Sequence, residues 1–174
     1  MGIQFETDYN METLTAMAKS LRKTVRKKRS RRVHIFAAVV LFLGLLTILA
    51  TTAGGEPLGA SGVVTLLAML VVILVSLFED KLNAWFARKR LLPGTEHAVA
   101  TFEEDGYVSA TGVTESRFSY AQIVAVAETA RYFVFALSSH HTQAYDKRTI
   151  RGGSVEDFRA FIAEKTGKLV EDIK

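Results

Sequence analysis

The sequence reads as a membrane α+β protein: a two-helix transmembrane hairpin, then a small antiparallel β-sheet or partial barrel capped by a C-terminal helix. Three observations lead there. Residues 33–53 and 58–78 are almost free of charge, and at about 1.5 Å of rise per residue each reaches roughly 30 Å, the thickness of a bilayer's hydrocarbon core. Beyond residue 94 the apolar pattern changes from helical spacing to alternation, as half-buried strands require. Near the end, Ser154 and Asp157 form a capping box before Val155, Phe158, Phe161 and Ile162, the apolar face of a last helix that Gly167 can terminate.

The chain begins with a strand over residues 1–7, where Ile3 and Phe5 alternate with Gln4 and Glu6. A basic amphipathic helix over residues 8–32 follows, with Met11, Leu14, Ala18, Leu21 and Val25 on one stripe. Thr7, Asp8 or Asn10 can cap it, and Glu12 suits the positive end of its dipole. This helix is expected to continue into the first span, 33–53. The turn 54–57 and the second span, 58–78, complete the hairpin. Gly44, Thr47, Ala50 and Thr51 can pack closely against Thr65, Ala68 and Ser76. A stretch this long and this far from the first residue is expected to be a retained span, not a cleaved signal peptide.

Charge sets the orientation. Up to Pro93 there are 13 Lys and Arg against 6 Asp and Glu; from Gly94 onward there are 9 against 12. The basic excess therefore flanks the apolar segments, which favours a membrane partner over nucleic acid. Positive flanks stay on the cytoplasmic side, and the turn 54–57 carries one acid and no base. Both termini are thus expected in the cytoplasm of a multi-pass plasma-membrane protein. Neither span contains Asp, Glu, Lys or Arg, so an ion or proton path through a lone hairpin is not expected. His34 lies at the edge of the first span, within reach of headgroups.

Residues 79–93 read as a helical exit, with Leu82, Trp85, Phe86 and Lys89 at helical spacing and a break at Leu91-Leu92-Pro93-Gly94. The remainder, 94–174, forms the β-domain. His97 to Phe102 and Tyr107 to Ala110 make a hairpin about Asp105-Gly106. Further strands are expected over Glu115 to Tyr120, Gln122 to Glu128, Arg131 to Leu137 and Thr142 to Asp146, with Ser138-Ser139-His140-His141 as a turn.

This order of parts resembles the YcxB-like family of bacterial membrane proteins. The resemblance rests on Tyr120, Ile123, Glu128, Tyr132-Phe133, Lys147-Arg148 and Phe158, in that sequence along the tail. It implies a pleckstrin-homology-like (PH-like) tail, an initial strand that joins the cytoplasmic sheet although it precedes the spans, and no catalytic residues. One departure is visible: Tyr145-Asp146 stands where members of the family often carry Ile-Pro.

No enzymatic chemistry is expected. His140 and His141 are adjacent, so on a strand they would face opposite sides and could not share one metal. Gly152-Gly153 lacks a phosphate-loop pattern, and neither Gly-x-Ser-x-Gly nor His-Glu-x-x-His occurs. Glu103, Glu104 and Asp105 read as a solvated hairpin tip. The chain has no cysteine, which excludes disulfides and thiolate chemistry. No catalytic residue, cofactor or metal is therefore expected. The residues suited to anionic lipid are Arg22, Lys23, Arg26, Lys27, Lys28, Arg29, Arg31 and Arg32 before the spans. Arg88, Lys89 and Arg90 follow them, with Lys147 and Arg148 in the domain. The expected partners are the lipid bilayer and a protein, either unrelated or a second copy, with no nucleic acid. Three roles fit: a membrane-tethered interaction module, an anionic-lipid sensor, or an accessory subunit of a transporter.

Overall fold

A computed structural model describes residues 2–54 and 57–173, so Gly55 and Glu56 of the expected turn lie outside the described residues. The elements run in the order β1 (Ile3–Asp8), α1 (Met11–Lys23), α2 (Lys27–Ala53), α3 (Ala60–Leu77) and α4 (Glu79–Lys89). They continue with β2 (His97–Phe102), β3 (Tyr107–Thr111), β4 (Glu115–Phe118), β5 (Ala125–Glu128), β6 (Tyr132–Ala136), β7 (Thr142–Asp146), α5 (Val155–Thr166) and β8 (Val170–Asp172). The chain divides into two compact units, one of Met1–Lys27 with Asn83–Lys174 and the other of Lys28–Leu82.

The first unit holds two four-stranded sheets, β1-β2-β3-β4 and β7-β6-β5-β8. This corrects the expectation of one antiparallel sheet or partial barrel. The sheets share no strand and do not close, and β8 lies parallel to β5. A strand of three residues with two acids carries no alternation to read, so β8 was not expected. β1 pairs with β2 along its whole length, from Ile3 opposite Phe102 to Asp8 opposite His97. Its inward residues, Ile3, Phe5 and Thr7, are all buried. Thr7 also reaches the second sheet, its Oγ1 accepting the Asp146 N–H at 3.1 Å.

Aromatic rings fill the space between the sheets. Phe5, Phe102, Tyr107, Phe133, Phe135 and Phe158 are each fully enclosed. Phe158 of α5 meets Phe5, Phe102 and Phe133 at centroid distances of 4.6, 4.8 and 5.0 Å, edge to face, the arrangement ring quadrupoles favour. α5 begins as expected, with a capping box between Ser154 and Asp157, and Gly167 ends it in the left-handed conformation.

Two local differences have plain causes. α1 stops at Lys23 instead of running on to residue 32. The Thr24 Oγ1 and N–H both bond to the Ser20 carbonyl and the Arg26 N–H returns to Leu21, so side chain and backbone close the helix locally. Lys27 to Arg32 consequently open the same helix that carries the first apolar segment. The strand expected from Gln122 begins only at Ala125, because Ser119 and Gln122 form a capping box around a tight helical turn over Tyr120–Gln122.

The second unit contains two helices long and apolar enough to cross a membrane, Lys27–Ala53 and Ala60–Leu77, each with an 18-residue stretch of mean hydropathy 2.6, none of it buried. The absent side chain of Gly44 makes room for Met69, whose Sδ would lie 2.8 Å from a Cβ there. Thr47, Thr51 and Thr65 turn their hydroxyls back to carbonyls one helical turn earlier, which satisfies them without water.

Candidate interaction surfaces and an inner cleft

The basic residues that flank the apolar helices fall into three groups. Lys27, Lys28, Arg29, Arg31 and Arg32 are exposed in the first turns of α2, which has no acid in its first turn. Cations at the positive end of a helix dipole weaken the helix, so their placement answers to something outside it. Arg88, Lys89 and Arg90 are exposed at the end of α4, where cations suit the dipole, and the Lys89 Nζ sits 3.6 Å from the Trp85 ring centre. Arg22 and Lys23 close α1. Arg26, just after α1, donates through Nε to the Ser139 carbonyl at 2.6 Å and lies 2.9 Å from His140 Nδ1 through Nη2, a link within the first unit to the β6–β7 turn.

Lys147 and Arg148 are occupied within the domain. Lys147 Nζ donates to Glu128 Oε1 at 2.9 Å with 15 % of its side chain exposed. Arg148 bonds Asp146 through its guanidinium and backbone N–H. Asp146 thereby caps the turn over Lys147–Thr149 and also accepts from Arg131. The Asp146 carboxylate thus fastens this turn.

Glu128, 12 % exposed, accepts from Lys147 and from both Nε and Nη2 of Arg159, at 2.6 and 2.8 Å. The Arg159 hydrogen bonds hold its carboxyl below the usual carboxylate range, aided by Lys147. β5, the turn after β7, and α5 are thus joined through one carboxylate.

His140 and His141 lie in the expected turn, with their N–H groups donating to Ser138 Oγ. Among the described residues no cluster of His, Asp or Glu could hold a metal.

Sequence reasoning missed a cleft of about 270 Å³ within the first unit, walled by α1, β3, β4 and the start of β7. At its floor the buried Gln143 carbonyl accepts from the hydroxyls of Tyr107 (2.7 Å) and Tyr145 (2.8 Å). Burial pushes both phenols up and raises Tyr9, also on the lining, to about 12. The signal was present: Gln143 stands two residues before Tyr145 in a strand, hence on the same inward face.

The geometry defines an α+β protein with two candidate membrane spans and a two-sheet domain assembled from both ends of the chain. Residues 102–162, from the end of β2 into α5, match the family model described as YcxB-like protein. The resemblance carried by Tyr120, Ile123, Glu128, Tyr132-Phe133, Lys147-Arg148 and Phe158 lies inside that stretch and holds. No curated protein and no solved structure matches. Most of these residues are structural: Tyr120, Ile123, Tyr132, Phe133 and Phe158 are buried, and Glu128 binds Lys147.

Proposed function

We propose that the chain is a non-enzymatic plasma-membrane protein that holds a PH-like domain at the cytoplasmic face, where it engages another protein or a second copy of itself. The observation that carries this reading is the pairing of β1 with β2. β1 precedes both apolar helices and β2 follows both, so the two flanks share one compartment and the chain crosses the membrane an even number of times. Two charge-free helices supply two crossings, and the exposed basic residues at both flanks favour the cytoplasm. The PH-like reading is supported by two sheets enclosing an aromatic core against one C-terminal helix. Lipid sensing through Lys147-Arg148 finds less support, since both side chains are already paired.

A chain without cysteine gives clean single-cysteine probes. Pro57→Cys, in the turn, is expected to react with an impermeant maleimide on intact spheroplasts. Leu169→Cys, 89 % exposed in the domain, is expected to react only after permeabilisation. Labelling of Leu169→Cys but not Pro57→Cys in intact spheroplasts overturns the orientation. The same Leu169→Cys chain, carrying a thiol-anchored cross-linker in cells, is expected to give a discrete heavier adduct; its absence at every linker length counts against an interaction module.

A further inference from the structure

The two sheets end on β1 and β4, and on β7 and β8. The edges of β1 and β7 are covered. Gln4 of β1 exchanges backbone hydrogen bonds with Arg151 at 2.9 Å, and the Asp146 N–H at the end of β7 reaches Thr7 of β1. That leaves β4 and β8 as the edges with no strand alongside among the described residues. An open edge is a template for another strand unless it is short or guarded by charge. β8 is both, with three residues of which two are the exposed acids Glu171 and Asp172. β4 is not guarded in this way. Glu115, Ser116 and Arg117 are all exposed, and opposite charges stand on either side of the serine.

The register defines what fits there. The Thr111 N–H donates to the Thr114 carbonyl at 2.7 Å, closing the β3–β4 hairpin, and Ser109 stands opposite Ser116. Bonded and non-bonded pairs alternate along an antiparallel ladder. Ser116 therefore turns its backbone groups toward β3, while Glu115 and Arg117 turn theirs outward. Two antiparallel strands related by a two-fold axis have one residue opposite its own copy. With Ser116 in that place, the outward N–H and C=O of Glu115 meet those of Arg117 in the second copy, and the reverse. Each carboxylate then lies beside a guanidinium, a favourable cross-strand pair. Centring on Glu115 or on Arg117 would set like charges against each other. We propose that β4 pairs with β4 of a second copy of this chain, antiparallel about Ser116, so that two domains share one continuous sheet. This rests on the proposed function and makes its second-copy partner specific. Pairing along four residues is weak between free molecules, but chains held in one bilayer meet at a raised effective concentration.

The test uses the full chain in isolated membranes, where a cysteine-free background leaves only the introduced thiol. Ser116→Cys places the thiol opposite its own copy in a non-bonded pair, with Cα atoms about 4.5 Å apart and within disulfide reach. Oxidation with copper phenanthroline is expected to give a disulfide dimer about tenfold faster than in Leu169→Cys, an 89 % exposed collision control beside β8. Within the Ser116→Cys chain, Glu115→Arg is expected to slow the reaction about tenfold, because two attractions become two repulsions. Adding Arg117→Glu exchanges the charges and is expected to restore the rate, which no rescue of a misfolded domain would do. Cross-linking of Ser116→Cys no faster than the control, or a charge exchange that restores nothing, overturns the proposal. The two readings fail separately. The disulfide forms whichever side of the membrane the domain occupies, whereas an adduct of Leu169→Cys with a different protein, without the disulfide, sinks this pairing alone.

Discussion

Glu128 shows how much one side chain can carry. It is mostly buried and accepts three hydrogen bonds from two cations on separate elements. Removing its charge leaves Lys147 and Arg159 beside a neutral group. Glu128→Gln is expected to destabilise the domain by about 2 kcal/mol, below the figure for a fully buried pair because solvent screens part of Arg159. The depressed carboxyl also fixes the pH dependence. Its contribution is complete above the unfolded-state value near ~4.3 and is lost as pH falls through the lower folded-state value. Melting of the wild type followed by near-UV circular dichroism should therefore drop between pH 6 and the acid range by more than in Glu128→Gln; an equal drop refutes the assignment. The sequence placed Glu128 in the family pattern but not in this role, because its partners lie 19 and 31 residues away. Gln143 was legible only in part: Tyr145 is two residues away on the same strand, but Tyr107 becomes its neighbour only when the sheets face each other.

Where the cue is local, the elements were legible. β2 and β7 have the bounds that alternation gives, and α5 starts and stops at Ser154 and Gly167. Where the cue is competition between side chain and backbone, or pairing at a distance, they were not. The end of α1 at Lys23, the turn after Ser119 and the parallel strand β8 belong to these. α5 separates the two kinds of contribution. Ser154→Ala removes an exposed cap bond and is expected to cost about 1 kcal/mol. Phe158→Ala empties the place where rings from β1, β2 and β6 converge and is expected to cost about 4 kcal/mol. Small domains have only about 5 to 15 kcal/mol in all, so the first variant should melt slightly early and the second should lose most of its cooperative transition. Comparable losses in the two would show that α5 is held by its own hydrogen bonds and not by the core.

The connectivity places an unusual demand on folding. Phe5 meets the rings of Phe102, Phe133, Tyr145 and Phe158, yet both apolar helices separate β1 from β2 in the chain. The domain therefore cannot close its core until the second helix has been made, and such long-range pairing is intrinsically slow. On the proposed function the helices need no such help, since an 18-residue stretch of mean hydropathy 2.6 in each favours lipid over water. Insertion and domain folding should come apart when β1 alone is damaged. Phe5→Asp puts an unpaired carboxylate into the aromatic core, where neither water nor a cation reaches it. Wild type and variant alike are expected to stay in the membrane fraction through carbonate extraction. The variant's domain should meanwhile lose the protease-resistant fragment that a folded two-sheet unit gives, with cleavage appearing in the loops around residues 103–106 and 138–141. A resistant fragment unchanged from wild type would mean that the strand ahead of the helices is an accessory to the sheet. Loss of Phe5→Asp from the membrane fraction would mean that the helices depend on the domain for their insertion.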